Sequence, residues 1–372
     1  MDFAACSTEI RDLFNDVSDL NRIFMRLQLE YGTELKERKS AIIFDEVQLA
    51  PKARQAIKYL VKDGRYDYIE TGSLISIRKN VKNILIPSEE VKLHMYPMDY
   101  EEFKWALGDT ATIKLLQNCF NGRTSLGDAT NRKLMRDFRL YMLVGGMPQA
   151  VSAYLETNNL EKVDSVKRSI ITLYEDDFNK IDQSGNISKM FRQIPAQLTS
   201  NANRYLTWRA TDGTRNSNLA ELISEMKESM VVNMAYHAND PSAGMALHQA
   251  PDKYKMFVGD TGLFVTLAFW DKKFTDNTIY HKLLSDKLNA DLGYVYENVI
   301  AQMLKAAGHE LYYYTFPTDS GKHNYEVDFL IADEDKVSPV EVKSSGYKAH
   351  ASLDAFCGKF SARIKNLSLI HI

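Results

Sequence analysis

Two groups of residues in this chain have the types and spacing for chemistry. The first is Asp45-Glu46, which follows the unbroken apolar run Ala41–Phe44. Such a run reads as a strand in the interior of a parallel sheet, buried on both faces. Ligands of open α/β sheets bind just beyond the carboxyl ends of the strands. Paired carboxylates there suit nucleotide hydrolysis. Asp45 would hold Mg²⁺ through water, and Glu46 would orient and polarise the attacking water. Side chains alternate as a strand ends, so one carboxylate would face the metal and the other the water. A second strand, Tyr66–Glu70, ends in Thr71-Gly72-Ser73. A hydroxyl there could bond the water or the terminal phosphate. The ordinary readings are a surface loop at Asp45-Glu46 and a turn around Gly72.

The second group is Glu297, Asp328, Glu341 and Lys343. Alternation along Tyr325–Ile331 puts Val327, Phe329 and Ile331 on one face and Asp328 on the other. In Pro339–Lys343, Glu341 and Lys343 oppose Val340 and Val342. Adjacent strands would then present two carboxylates and an ammonium together. That arrangement suits metal-dependent phosphodiester chemistry, with Asp328 and Glu341 holding Mg²⁺ and Lys343 steadying the hydroxide or the developing phosphorane charge. The ordinary reading pairs Glu341 with Lys343 on a solvated strand face.

These residues must be positioned by an alternation of strands and helices, which argues for an α/β fold. Residues 1–38 read as helical, with Leu13, Val17, Leu20, Ile23, Phe24, Leu27 and Leu29 near helical spacing. A helix follows Pro51. Val81–Ile86 and Val91–Tyr96 read as further strands. Residues 100–182 are mostly helical, broken at Gly122, Gly127 and Gly145-Gly146-Met147-Pro148. A short helix at Asn218–Lys227 and the apolar stretch Met230–Ala235 suggest a winged-helix-like region. Beyond it, a helix (Tyr294–Ala307) and strands at Glu310–Phe316, Tyr325–Ala332 and Ser338–Ser344 form another α/β unit.

Several of these segments together resemble the prokaryotic P-loop ATPases of the AAA superfamily. They are IIFDEVQ, YIETGS, LIPSEE and MYPMDYEEF. The later GGMPQAV, YKMFVGDTGL, YENVIAQML and EVDFLI…PVEVKSS resemble the uncharacterised C-terminal region that accompanies this ATPase module. The resemblance covers nearly the whole chain. It implies a Walker B strand ending in Asp45-Glu46 and a sensor residue, Thr71 or Ser73, on the next strand. ATP and Mg²⁺ would be the ligands. Glu297, Asp328 and Glu341-x-Lys343 resemble the PD-(D/E)XK nuclease core, with Glu297 the extra helical acid of junction-resolving relatives.

The expected parts are then the remainder of an ATPase domain with its parallel sheet (1–105), a helical lid (106–185), the winged-helix-like region (186–250) and a restriction-endonuclease-like α/β domain (251–372). The leading expectation is an ATP-hydrolysing switch or motor. A Mg²⁺-dependent structure-specific DNA nuclease, and a non-catalytic switch binding DNA or a protein partner, are the alternatives. An oligomer is compatible with each.

The family's phosphate-binding loop, G-x-x-x-x-G-K-[ST], is not in this sequence. The Gly-Lys pairs Gly321-Lys322 and Gly358-Lys359 lack both the earlier Gly and the following Ser or Thr. The resemblance therefore implies an N-terminal truncation, with Met1 an internal methionine. The missing first strand would leave sheet edge exposed. This chain is expected to bind ATP poorly and to aggregate. Tight Mg-ATP binding in calorimetry would contradict that.

Composition is consistent with this frame. The 372 residues allow two or three domains, and 45% hydrophobic with 26% charged residues is ordinary for a globular chain. A net charge of −3 rules out a bulk polycation, so any nucleic-acid surface would be a local patch. Cys6, Cys119 and Cys357 are far apart, without a zinc or disulfide pattern. No apolar run suits a membrane span and no signal segment is present, so a cytoplasmic location is expected. Arg132, Lys133, Arg136 and Arg139 read as a basic helical face that is ordinarily solvated. Arg78 reads as a surface charge or an arginine finger. Arg192, Arg204 and Arg209 with Tyr205 and Trp208 would suit a DNA contact, although such aromatics are more often core.

Overall fold

Elements in the first ninety-five residues begin and end where local chemistry dictates. Helix α1 (Thr8–Asp12) is capped by the Ser7 hydroxyl, which accepts from the Ile10 amide, and α2 (Leu20–Tyr31) by Asp19, which accepts from the Arg22 amide at 3.1 Å. Gly32, at φ +59°, ends α2. Strand β1 (Ala41–Phe44) follows, then α3 (Pro51–Asp63), which opens on proline and ends at Gly64 at φ +77°. Strand β2 (Asp67–Glu70) pairs with β1 in parallel, Ala41 opposite Asp67 through Phe44 opposite Glu70.

The computed structural model describes residues 1–72, 90–200, 204–210, 219–272, 280, 284, 293–318, 320–343 and 350–371. Two compact units divide it, Met1–Met95 and Tyr96–Ile372. The core of the first gathers Phe3, Phe14, Phe24, Phe44, Ile57 and Leu60. Phe14 meets Phe44 edge-on, with ring centres 5.5 Å apart.

Four expectations about this unit need correction. The helical reading of 1–38 breaks at Asp16–Asp19, and Leu29 is exposed. Strand β1 is buried on one face only: Ile42 and Phe44 are inside, but Ile43 is 47% and its partner Ile69 51% exposed. The edge of β1 is not bare, because Met1–Phe3 runs beside its end. Asp2 bridges Asp45 in parallel, and the Phe3 amide donates to the Asp45 carbonyl at 3.0 Å. The segment Val91–Tyr96 forms no strand among the described residues, and Val91, Leu93 and Met95 are exposed. The expected strand Val81–Ile86 lies outside the described residues, as do Ser73 and Arg78.

The second unit starts with helices: α4 (Tyr100–Ala106), α5 (Thr112–Asn121), α6 (Asp128–Val144), α7 (Pro148–Thr157), α8 (Leu160–Ile181), α9 (Asn186–Thr199), α10 (Thr207–Ala210) and α11 (Leu219–Glu228). Asp99 and Glu102 form a reciprocal capping box at the start of α4. Strands β3 (Val232–Ala238) and β4 (Gln249–Val258) precede α12 (Thr261–Ala268) and α13 (Gly293–Ala306). Then come β5 (Leu311–Pro317), β6 (Asn324–Asp333), β7 (Lys336–Lys343), α14 (Ala351–Phe360) and β8 (Ser368–His371).

One six-stranded mixed sheet orders these strands β4-β3-β5-β6-β7-β8. This differs from the expected division at 250/251, which falls inside β4. The apolar stretch read as part of a separate winged-helix-like region is β3, paired in parallel with β5. Helix α4 packs within the second unit, where Tyr100 meets Phe138 of α6 edge-on at 5.2 Å.

The turn at Gly145-Gly146 joins the helices to the sheet. The Gly146 amide donates to the buried Asp260 carboxylate at 2.6 Å, and the Met98 amide donates to the Gly146 carbonyl at 2.8 Å. Beside it, Lys167 of α8 is completely buried. Its ammonium donates to the carbonyls of Leu143 at 2.6 Å and Gly262 at 3.2 Å, and to the Tyr280 hydroxyl at 3.1 Å. Burial lowers its pKa to about 8, against the pull of Asp164 and Asp260.

The pH consequence follows from the sign. Between about 8 and the free-lysine value of 10.5, the unfolded chain holds this proton and the folded chain does not. Stability therefore rises with pH across that window, by on the order of 3 kcal/mol from this group. All three tryptophans, Trp105, Trp208 and Trp270, lie in the second unit, so urea unfolding read by tryptophan fluorescence isolates it. The midpoint should rise from pH 8 to 10, and Lys167→Met should remove most of that rise. A pH response identical in the variant would contradict the assignment.

Candidate functional site

Parallel pairing of β1 with β2 brings their carboxyl ends together, and with them Asp45 and Thr71. The Thr71 amide donates to the Phe44 carbonyl at 2.9 Å and the Val47 amide to the Thr71 carbonyl at 3.1 Å, so the two ends are stitched in register. The Thr71 hydroxyl donates to the Asp45 carboxylate. Asp45 is exposed and could hold a hydrated cation.

Glu46 is positioned differently from the alternation argument. The strand ends at Phe44, and Glu46 takes a left-handed backbone, φ +55°, at the start of a 3₁₀ turn over Val47–Leu49. Few non-glycine residues adopt this conformation. The buried Gln48 amide donates to the Glu46 carboxylate and fixes its direction. Gln48 was not singled out in the sequence. Neither was Arg54, buried on α3, whose guanidinium lies 3.0 Å from Glu90 and 3.8 Å from Glu70. Burial raises the pKa of Glu70, with Arg54 opposing. The side chains present thus fit a hydrated Mg²⁺ at Asp45 and a water at Glu46. The phosphate cradle is a motif this sequence does not contain.

The second group is also brought together, but around a residue the sequence reading missed. Lys255 of β4, 7% exposed, sends its ammonium to Glu326 of β6 and to within 3.4 Å of Glu297 on α13. Helix α13 packs across β3, β4, β5 and β7 and so carries Glu297 to this face. Asp328 accepts from the Val342 amide at 2.8 Å. Lys343 pairs with Glu341 at 2.5 Å. Glu341 is not on a solvated face: it is 2% exposed, and its Oε2 has no hydrogen-bond partner.

Charge follows this packing. Burial raises the Asp328 pKa well above the carboxylate range, and Glu297 and Glu341 add to the rise. Burial also raises Glu341, against Lys343. Burial opposes the Lys255 charge, but Glu297, Glu326 and Asp328 outweigh it and hold its pKa above the ordinary value. Among the described residues no three His, Cys, Asp or Glu side chains are disposed to hold a metal ion. Two sequence signals pointed here. Lys255 interrupts the apolar end of β4, and Glu326 precedes Asp328 by two, on the same strand face.

The weaker basic and aromatic signals divide. Arg132, Lys133 and Arg136 are exposed, whereas Arg139 is buried and leaves that face. Tyr205 is core: its hydroxyl donates to the Met190 carbonyl at 2.7 Å and its ring stacks on Tyr254. Arg192 is engaged by Glu175 and stacks over Trp270. Among the described residues no helix is long and apolar enough to cross a membrane.

Comparison with protein-family models finds three matches. Residues 5–104 match the AAA domain, residues 135–273 a domain of unknown function (DUF8612), and residues 292–370 a domain of unknown function (DUF4143). No curated protein and no solved structure matches the chain. The strand ends that carry Asp45, Glu46 and Thr71 fall inside the first match, which supports an AAA-type ATPase family for the N-terminal part, and the DUF4143 match lies toward the C-terminal end.

Proposed function

We propose that the Asp45-Glu46-Thr71 site is the hydrolytic centre of an AAA-type ATPase that works as a nucleotide-driven switch or motor. The observation that supports it most is the Thr71 hydroxyl bonded to the Asp45 carboxylate at the adjoining ends of two parallel strands, within the AAA match. Bound Mg-ATP would supply a polarised γ-phosphate. Asp45 would hold the hydrated Mg²⁺, Glu46 would take a proton from the water as its oxygen bonds the γ-phosphorus and the bond to the ADP oxygen breaks, and the Thr71 hydroxyl would sense the γ-phosphate, with Ser73 as the second sensor candidate. The target, DNA or another protein, is engaged outside this centre.

The nuclease reading is not adopted. Its four residues do come together, but with Lys255 among them and each carboxylate engaged or buried. Mg²⁺-dependent ATP turnover by the protein tests the proposal. Asp45→Asn should lower Mg²⁺-dependent kcat/KM at least about a hundredfold, because it removes the negative charge that holds the metal. Turnover unchanged by Asp45→Asn would refute it.

A further inference from the structure

The carboxylates of the C-terminal sheet already surround a cation. Lys255 reaches from β4 across the face of Tyr313, its ammonium 5.5 Å from the ring centre, and pairs with Glu326 and Glu297. Both strands and α13 contribute to this enclosure, and the lysine side chain is 8% exposed. Of the remaining acceptors two are engaged and Glu341 Oε2 is buried without a partner, one free oxygen that does not make a metal site. One Asp328 oxygen receives the Val342 amide, and one Glu341 oxygen receives Lys343. A divalent ion needs several oxygens converging on one point at 2.0–2.6 Å, and no such triad exists among the described residues. An ammonium needs only donors within hydrogen-bond reach of separate carboxylates, which is the arrangement present.

We propose that Lys255 is the resident cation of this cluster: its ammonium, in place of a divalent metal, neutralises Glu297, Glu326 and Asp328 and closes the site to Mg²⁺. The cluster is then an internal ion-pair core. It braces β4, β6 and α13 from one point, and no metal-dependent phosphodiester cleavage is expected at it. Deletion of Lys255 would leave Glu297, Glu326 and Asp328 without the ammonium they surround, with Lys343 already paired to Glu341, an unfavourable state that a divalent ion can relieve.

Mn²⁺ is the probe, added without nucleotide to the full chain and followed by the electron paramagnetic resonance signal of the free ion. Wild type should show the same titration as Glu297→Gln and Asp328→Asn, because none of them binds Mn²⁺ at the cluster. Lys255→Met should gain one site, at least tenfold tighter than any in wild type, and the Lys255→Met/Asp328→Asn double variant should lose it. Melting should agree, with MgCl₂ raising the midpoint of Lys255→Met and leaving wild type unmoved. A wild-type Mn²⁺ site that disappears in Asp328→Asn or Glu297→Gln would overturn the proposal, as would a folded Lys255→Met that gains none. Should Lys255→Met fail to fold, the comparison of wild type with Glu297→Gln still decides.

Discussion

Gly146→Ala should unfold the second unit at markedly lower urea, with a loss of about 3 kcal/mol or more. A Cβ at residue 146 would collide with the backbone of Met98, 2.7 Å from its amide nitrogen and 2.9 Å from its carbonyl carbon. Real Cβ atoms do not approach backbone this closely, and backbone cannot rotate away as a flexible side chain can. The same turn holds one of the amides that satisfy the buried Asp260, so a shift also takes a donor from a carboxylate with 1% exposure. Gly262 meets the same crossing from the other side, where a Cβ would lie 2.5 Å from the Val144 carbonyl oxygen. Tryptophan fluorescence reports this unit alone, and Gly244→Ala, whose nearest neighbour is the Leu247 side chain at 3.6 Å, is the control that should cost little. A Gly146→Ala midpoint within error of wild type would show that the crossing is not closely packed.

The second large effect concerns Glu46. Gln replaces the carboxylate with an amide of the same shape, which can no longer accept the proton of the attacking water. A positioned general base contributes roughly a hundred- to ten-thousandfold to rate. Glu46→Gln should therefore lower kcat for ATP by at least about a hundredfold. Nucleotide affinity should stay near wild type, because Asp45 and Thr71, the groups proposed to meet metal and phosphate, are untouched. Gln48 donates to the Glu46 carboxylate, and a glutamine carbonyl can accept the same bond, so the local turn survives the exchange. A rise in KM with unchanged kcat would assign Glu46 to binding instead.

The parts of this site set by near neighbours were legible in the sequence. The apolar run of β1, the proline that opens α3, and the hydroxyl at the end of β2 each depend on a few consecutive residues, whereas the bond between Thr71 and Asp45 comes from the pairing of the two strands. Glu46 shows the limit of a periodicity argument. Alternation presumes that the strand continues, and the backbone instead turns left-handed at this residue. The rest depends on partners distant in sequence. Val232–Ala238 joins the C-terminal sheet because Leu311–Tyr313, some eighty residues on, pairs beside it. Lys255 looks like a surface lysine on its own strand. Only Glu297 on a helix and Glu326 on β6 make its burial affordable. Arg139 likewise shares a helical face with Arg132 and Arg136 by spacing, yet lies deeper along the helix, where neighbouring elements cover it. The segment Val91–Tyr96 has strand composition and no described partner to pair with.

The central claim is that Asp45, Glu46 and Thr71 form a nucleotide-hydrolysing centre. Its most direct test is Mg²⁺-dependent ATP turnover by the protein, measured for wild type, Glu46→Gln and Lys343→Ala side by side, with Mg-ATP affinity determined for each. The account predicts turnover in wild type, an undiminished rate in Lys343→Ala, and at least a hundredfold lower rate in Glu46→Gln with affinity retained. Equal turnover by wild type and Glu46→Gln would contradict it.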